Sequence, residues 1–187
     1  GARVTLVTTQ PQGVTADVEL VAVETAQEMA DAVLTRFADL DAVVMAAAVA
    51  DFRPKAAAPA KLKKRDGVPE LLLEPTTDIL SELGRRRDGQ FVVGFAAETE
   101  RVREHAAEKL AAKRVDLVVA NDVAAPDSGF VVDTNRAVLL DAAGAVEDLP
   151  LLSKAALADV ILDRVRAGLG RPAPNAPAPT ASDQQPA

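Results

Sequence analysis

The sequence predicts an α/β domain built on a mostly parallel sheet, and two observations carry that prediction. Short β-branched or apolar runs alternate with amphipathic helical patterns along most of the chain, the order that right-handed crossovers between parallel strands produce. The run Val43–Ala48 is apolar without interruption, which suits a strand covered on both faces. A length of 187 residues supports one domain with a sizeable core and does not require a second.

The elements follow in order. Ala2–Thr8 and Val18–Val23 are short and β-branched, as buried strands are. Thr25 precedes a stripe of Met29, Val33, Leu34 and Phe37, with Glu28 three residues after the cap, so a capping-box helix is expected there. Val43–Ala48 is the next strand, and Glu70–Glu74 another. Pro75-Thr76-Thr77-Asp78 opens a helix whose buried stripe is Ile79, Leu80 and Leu83. Gln90–Ala96 is a strand, Thr99–Arg114 a long helix, and Val115–Ala120 a strand ending on Asn121-Asp122. Two antiparallel strands, Gly129–Val132 and Arg136–Leu140, follow, with a turn at Gly144. Ser153–Ala167 is the last helix, held by Leu157, Ile161 and Val165. From Gly168 the chain is rich in Pro and Ala with almost no large apolar residues, so residues 168–187 are expected to be a disordered tail on a domain of residues 1–167.

Composition narrows the function. The hydrophobic fraction of 49% is that of a globular fold, but aromatics reach only 3%, so Val, Leu and Ala must build the core. A formal net charge of −7 argues against a nucleic-acid surface and requires any anionic ligand to be held by a local basic patch. The absence of cysteine excludes disulfides, thiolate metal sites and cysteine nucleophiles, and a single histidine argues against a His-based zinc site. His105 falls mid-helix, where a structural or surface role is the plain reading. No apolar run reaches 18 residues and no signal pattern appears, so a cytoplasmic protein with no membrane partner is expected.

Four groups carry possible chemistry, each at a strand end or helix start. Asp51 follows the strand and the small residues Ala47-Ala48-Val49-Ala50, which would let a ligand approach the main chain. Lys61, Lys63 and Lys64 form a cationic arm ten residues further on; a carboxylate and such an arm suit a magnesium–triphosphate site. The same residues also describe a strand followed by a solvated basic loop, since charge runs are usually solvated faces. Thr76-Thr77-Asp78 could offer free N–H groups to phosphate, or be an ordinary helix cap. Gly94-Phe95 at a strand end could form a shelf for a base, with Lys109 and Lys113 sharing a face of the following helix or simply lying on the surface. No dinucleotide fingerprint, P-loop or nucleophile-elbow motif is present.

The ordered motifs VMAAAVADFRP, KLKK, TTDIL, VVGFAAET and LVVANDV resemble the phosphopantothenate–cysteine ligase family over roughly residues 1–167. The resemblance implies a Rossmann-like, mostly parallel three-layer sandwich with a small antiparallel extension. It also implies an enzyme that joins 4′-phosphopantothenate to L-cysteine with CTP and Mg²⁺. In that chemistry the substrate carboxylate attacks the α-phosphorus of CTP, and cysteine then displaces CMP from the acyl-cytidylate. Carried over by position, Asp51 is the nucleotide-binding aspartate, and Lys61 is the first lysine of a mobile flap and the catalytic residue. Ala47, Ala48, Ile79, Leu80, Ser81, Glu82, Phe95, Lys109 and Lys113 line the nucleotide; the magnesium ligands are not assigned. The family is typically a homodimer, and its bacterial form is usually fused to an FMN-dependent decarboxylase half.

Departures from the family pattern set a further expectation. The family's opening strand, glycine-rich turn and Asn-x-Ser-Ser-Gly-Lys motif are not in this sequence, nor is the decarboxylase half. The chain is therefore expected to be a partial domain, inactive in ligation alone, with the strands starting at Ala2 and Asp41 lacking a shared neighbour. A catalytically silent Rossmann-like module for nucleotide binding or dimerisation is the competing reading. A nicotinamide oxidoreductase is disfavoured because no glycine fingerprint is present.

Overall fold

A five-stranded sheet carries the computed structural model, which describes residues 1–11, 13, 15–56, 70–98, 101–122 and 132–170. The chain opens with a parallel pair, β1 (Val4–Thr8) and β2 (Val18–Ala22), in register from Val4↔Val18 to Thr8↔Ala22. Helix α1 (Ala26–Arg36) starts on Thr25, whose hydroxyl accepts the Glu28 N–H at 3.1 Å. The Glu28 carboxylate reaches back to the N–H of Glu24 at 2.8 Å, one residue beyond the usual capping-box partner. Strand β3 (Ala42–Met45) follows, then β4 (Phe52–Pro54) and β5 (Leu73–Pro75), which pair antiparallel as a separate ribbon. Helix α2 (Ile79–Arg86), β6 (Phe91–Glu98), α3 (Val102–Lys113) and β7 (Leu117–Asp122) complete the parallel portion. Short strand β8 (Thr134–Asn135), β9 (Ala137–Asp141), β10 (Val146–Asp148) and β11 (Leu152–Ser153) lead to α4 (Lys154–Leu169).

The main sheet runs β10-β9-β7-β6-β3, with β3, β6 and β7 parallel and β9 and β10 added antiparallel. Gly144, at φ 88, supplies the left-handed residue of the turn between β9 and β10. Successive side chains of a strand point to opposite faces, and that alternation divides the core in two. Val92, Ala96, Val118 and Ala120 join α1, α2 and α3 through Met29, Val33, Leu80, Leu83 and Ala106. Val93, Leu117 and Val119 join α4 through Leu157, Ile161 and Val165. The result is the three-layer, mainly parallel arrangement expected of the sequence.

Several boundaries differ from expectation. Strand β3 ends at Met45 rather than Ala48, because its ladder with β6 stops at Met45↔Gly94 and the next residues leave the sheet. Strand β5 sits at Leu73–Pro75 rather than Glu70–Glu74, in the register its partner β4 imposes, Phe52↔Pro75. Helix α3 occupies Val102–Lys113, flanked by left-handed backbone at Arg101 (φ 50) and Arg114 (φ 53). Helix α4 continues through Gly168 to Leu169, past the expected end at Ala167, because Gly168 lies against the Phe91 ring where a β-carbon would collide. The expected strand at 129–132 lies almost wholly, and the tail beyond residue 170 wholly, outside the described residues.

Among the described residues the β1–β2 pair is not hydrogen-bonded to the main sheet, and β3 is paired only on its β6 side. Val7, Val21, Val43 and Met45 pack toward the α1 layer, while Val4, Leu6, Leu20 and Val44 on the other face are 40–48% exposed.

The tightest joint lies between α2 and α3. Gly84 is buried mid-helix, and a β-carbon there would overlap the Lys113 carbonyl. Replacing a free helix glycine with alanine would gain about 1 kcal/mol of helix propensity. Overpacking against a backbone carbonyl costs about 1–3 kcal/mol or more, so the clash wins. Gly84→Ala is therefore expected to lower the urea unfolding midpoint of the protein; a raised midpoint would contradict this packing.

Candidate functional site

The cleft forms where parallel strands end. After β3 the chain passes over Ala47, Val49, Ala50 and Asp51, and these line one wall. Thr76, Thr77 and Asp78, leading into α2, form the second wall with Ile79 and Leu80 of that helix. Phe95 of β6 and Lys109 and Lys113 of α3 close the third side, with Met45 at the base. Ligands of open α/β sheets bind at this edge, beyond the carboxyl ends of the strands.

Two hydrogen bonds tie the first two walls together. The Thr76 N–H donates to the Asp51 carbonyl at 2.9 Å, and the Thr76 hydroxyl donates to the Ala50 carbonyl at 2.5 Å. The position of Asp51 thus rests on a residue 25 places further along the chain. The Lys109 ammonium donates to the Phe95 carbonyl at 2.7 Å, which holds its charge over the end of β6. The Phe95 side chain packs with the α4-side core, so the group facing Lys109 is main chain. Gly94 makes room for α2: a β-carbon there would stand 2.6 Å from Leu80 Cδ2.

Asp78 divides its carboxylate between two tasks. One oxygen accepts the Ser81 N–H at 2.9 Å and caps α2, and the other accepts the Lys113 ammonium. Partial burial works to raise the Asp78 carboxyl, but the bonds from Lys113 and Ser81 outweigh it and hold the group below its ordinary value.

Of the residues singled out from the sequence, the structure gathers Ala47, Asp51, Ile79, Leu80, Phe95, Lys109 and Lys113 around one cleft. Ala48, Ser81 and Glu82 do not line it. Ser81 contributes a backbone N–H to the Asp78 cap, and Glu82 is bound by Arg85 at 2.5 Å and Arg86 at 2.9 Å. Desolvation works to raise the Glu82 carboxyl, but the two arginines together outweigh it and hold the group below its usual range. Lys61, Lys63 and Lys64 lie outside the described residues. His105 is half-buried on α3 and is not among the cleft residues. Met45 and the Asp78–Lys113 pair were not read as site features. Asp78 was visible as a helix start, but its partner stands 35 residues away and no local pattern announces it.

The cleft encloses about 180 Å³. Small-molecule sites commonly run to roughly 300–1,000 Å³, so the cleft of the described residues lies below that range. Its chemistry suits a polyanion: two lysines converge in a chain of net charge −7, beside main-chain groups and one carboxylate, Asp51, that makes no ion pair among the described residues.

The sheet and cleft define an open, mainly parallel α/β domain with a ligand site at its strand ends. Residues 1–169 match the DNA/pantothenate metabolism flavoprotein C-terminal domain, and the chain belongs to that family. It is 43% identical over 172 residues to the coenzyme A biosynthesis bifunctional protein CoaBC of Bacillus subtilis (strain 168), covering 89% of this chain and 42% of that protein. A cysteine/cysteine sulfinic acid decarboxylase from an unknown prokaryotic organism is 35% identical over 170 residues, 88% of this chain and 47% of that one. The crystal structure of the C-terminal domain of the coenzyme A biosynthesis bifunctional protein CoaBC superposes with a TM-score of 0.74 at 37% identity. That superposition covers 91% of this chain and 76% of the other. The chain therefore spans less than half the length of these curated relatives. Among the described residues no helix is long and apolar enough to cross a membrane, and no three His, Cys, Asp or Glu side chains cluster as a metal site.

The depressed Asp78 carboxyl fixes the sign of a pH effect. A folded-state value below the unfolded one gives stability that is present above the unfolded pKa and is lost as pH falls through the folded value. The stability advantage of the wild type over Asp78→Asn is therefore expected to hold from neutral pH down to the ordinary carboxylate range, about pH 4, and to shrink as pH falls further. Urea midpoints along that series check it, and a constant difference would mean the ion pair contributes nothing.

Proposed function

We propose that this domain catalyses the CTP-dependent joining of 4′-phosphopantothenate to L-cysteine, a step of coenzyme A biosynthesis. The observation that carries this reading is the convergence of Ala47, Asp51, Phe95, Lys109 and Lys113, scattered over 67 positions, on one cleft at the strand ends. Membership of the flavoprotein C-terminal domain family and 43% identity to a coenzyme A biosynthesis protein support it.

The reaction needs positioning and charge neutralisation more than covalent help from the protein. The substrate carboxylate displaces pyrophosphate from the α-phosphorus of CTP, and the cysteine amine then displaces CMP from the acyl carbon to form the amide. Lys109 and Lys113 supply positive charge to the phosphates, and the small wall at Ala47 lets main-chain groups meet the base edge. Lys61 of the basic segment is the residue assigned to stabilise charge as it develops at phosphorus. Mg²⁺ fits the donor set, since it binds through one or two carboxylates plus substrate phosphates, and Asp51 is the carboxylate to hold it. Bound there, it would neutralise phosphate charge. FMN belongs only to a decarboxylase half fused to this domain. A cytoplasmic homodimer is the proposed setting.

A second reading has three observations in its favour. Among the described residues the cleft is smaller than most ligand sites, β3 carries a strand on one side only, and the β1–β2 pair is not hydrogen-bonded to the main sheet. We propose that a further parallel strand joins β1–β2 to β3, and that residues 1–187 alone act as a silent nucleotide-binding or dimerisation module.

Both readings meet in one assay: pyrophosphate release dependent on CTP, cysteine and phosphopantothenate. Full-length protein is expected to turn over and to prefer CTP to ATP, since a hydrogen-bonding base site leaves polar groups unpaired with the wrong base. Lys61→Ala is expected to lower kcat about 10²–10³-fold, as loss of one preorganised charge contact does. The isolated 187-residue chain is expected to release none. Equal use of ATP, or a wild-type rate in Lys61→Ala, would contradict the ligase assignment; turnover by the short chain would contradict the proposed extra strand.

A further inference from the structure

Lys113 does not stand free in the cleft: its ammonium is already held by a carboxylate of the same chain. The two lysines differ in this respect. Lys109 rests on a neutral carbonyl, which makes no objection to an arriving anion, whereas Lys113 rests on Asp78, which does. The pair lies at the cleft surface, with the Lys113 side chain 26% and the Asp78 side chain 50% exposed, so an entering ligand can reach it. Asp78 cannot swing away cheaply, because its other oxygen caps α2 through Ser81.

Resting on the nucleotide-site reading above, we propose that Asp78 is a positioning residue that competes with the polyphosphate for Lys113. In the free protein Asp78 holds the lysine extended over the cleft. When a triphosphate arrives, the ammonium turns one or more of its three N–H donors to phosphate oxygens, and the Asp78 charge is left facing a like-charged ligand. As pyrophosphate departs, Lys113 returns to Asp78. The carboxylate thus weakens ground-state and product binding alike and eases release. Its opposition scales with the phosphate charge of the ligand, while the benefit of holding Lys113 in place is gained once. The net effect of Asp78 on polyphosphate affinity is therefore negative. The carboxyl stays ionised near neutral pH, being held below its ordinary range.

Asparagine is as good a helix cap as aspartate, so Asp78→Asn removes the charge and keeps the cap. In the full-length protein with Mg²⁺, calorimetric titration of Asp78→Asn is expected to show pyrophosphate and CTP bound about two- to fivefold more tightly than by wild type, the scale of a partly exposed ion pair. Cytidine, which carries no phosphate, is expected to bind both proteins equally. In steady state KM for CTP is expected to fall and inhibition by pyrophosphate to strengthen, with no rise in kcat. Asp78→Ser, a second cap-preserving change, is expected to behave the same way and covers the case in which the asparagine variant folds poorly. Unchanged affinities in both variants would reduce Asp78 to a helix cap and overturn the proposal. Weaker polyphosphate binding would overturn it too, by making Asp78 a direct contact of the ligand or its metal. A wild type that binds CTP in either case leaves the nucleotide-site reading standing; a wild type that binds neither CTP nor pyrophosphate overturns both.

Discussion

Where α2 crosses the end of α3, Gly84 brings its Cα against the Lys113 carbonyl, and much of the cleft depends on that approach. Asp78 stands six residues before Gly84, about 9 Å along the chain direction of a helix at 1.5 Å per residue. That span is the scale of an extended lysine side chain. Lys113 can therefore lie along α2 and meet Asp78 at its start. The same packing sets the height of Lys109, one turn earlier on α3, over the end of β6, where the Phe95 carbonyl receives it. A side chain at position 84 would move both lysines together.

The sheet supplies the other half of the geometry. Parallel pairing of β3, β6 and β7 sends their carboxyl ends to one edge, and the alternation of side chains sends Val92, Ala96, Val118 and Ala120 to the helices that carry the lysines. Gly94 lets Leu80 sit close to β6, which draws the start of α2 toward the strand end. Thr76 then links that start to the chain leaving β3 through the carbonyls of Ala50 and Asp51. Three segments remote in sequence are joined by backbone-directed bonds, so the cleft has a fixed frame on which exposed side chains can act.

Local signals in the sequence were read correctly where the physics is local. The caps read at Thr25 and Asp78 each accept an N–H three residues on, as does Ser153, which was read as the first residue of its helix, and the apolar stripes of α1, α2 and α4 are the buried faces. What escaped reading depends on partners far along the chain. Strand β4 is exposed and only three residues long, and it exists because β5 pairs with it. Gly168 resembled the start of a disordered tail, yet its lack of a side chain is what lets α4 continue over Phe91. The Phe95 ring was read as part of a shelf, but strand alternation packs it with the α4-side core and leaves its carbonyl toward Lys109. The pairing of Glu82 with Arg85 and Arg86, three and four residues on, is by contrast local, and their spacing on one helix could have shown it.

The claim that binds these observations is that the cleft framed by Asp51, Thr76–Leu80 and the α3 lysines is where the nucleotide sits. Amide hydrogen exchange on the full-length protein, with and without CTP and Mg²⁺, tests it most directly. CTP should slow exchange at residues 46–51 and 76–80, the two walls that Thr76 joins, and ATP at equal concentration should slow it less. Protection by CTP confined to other segments, with these two walls unchanged, would contradict the account.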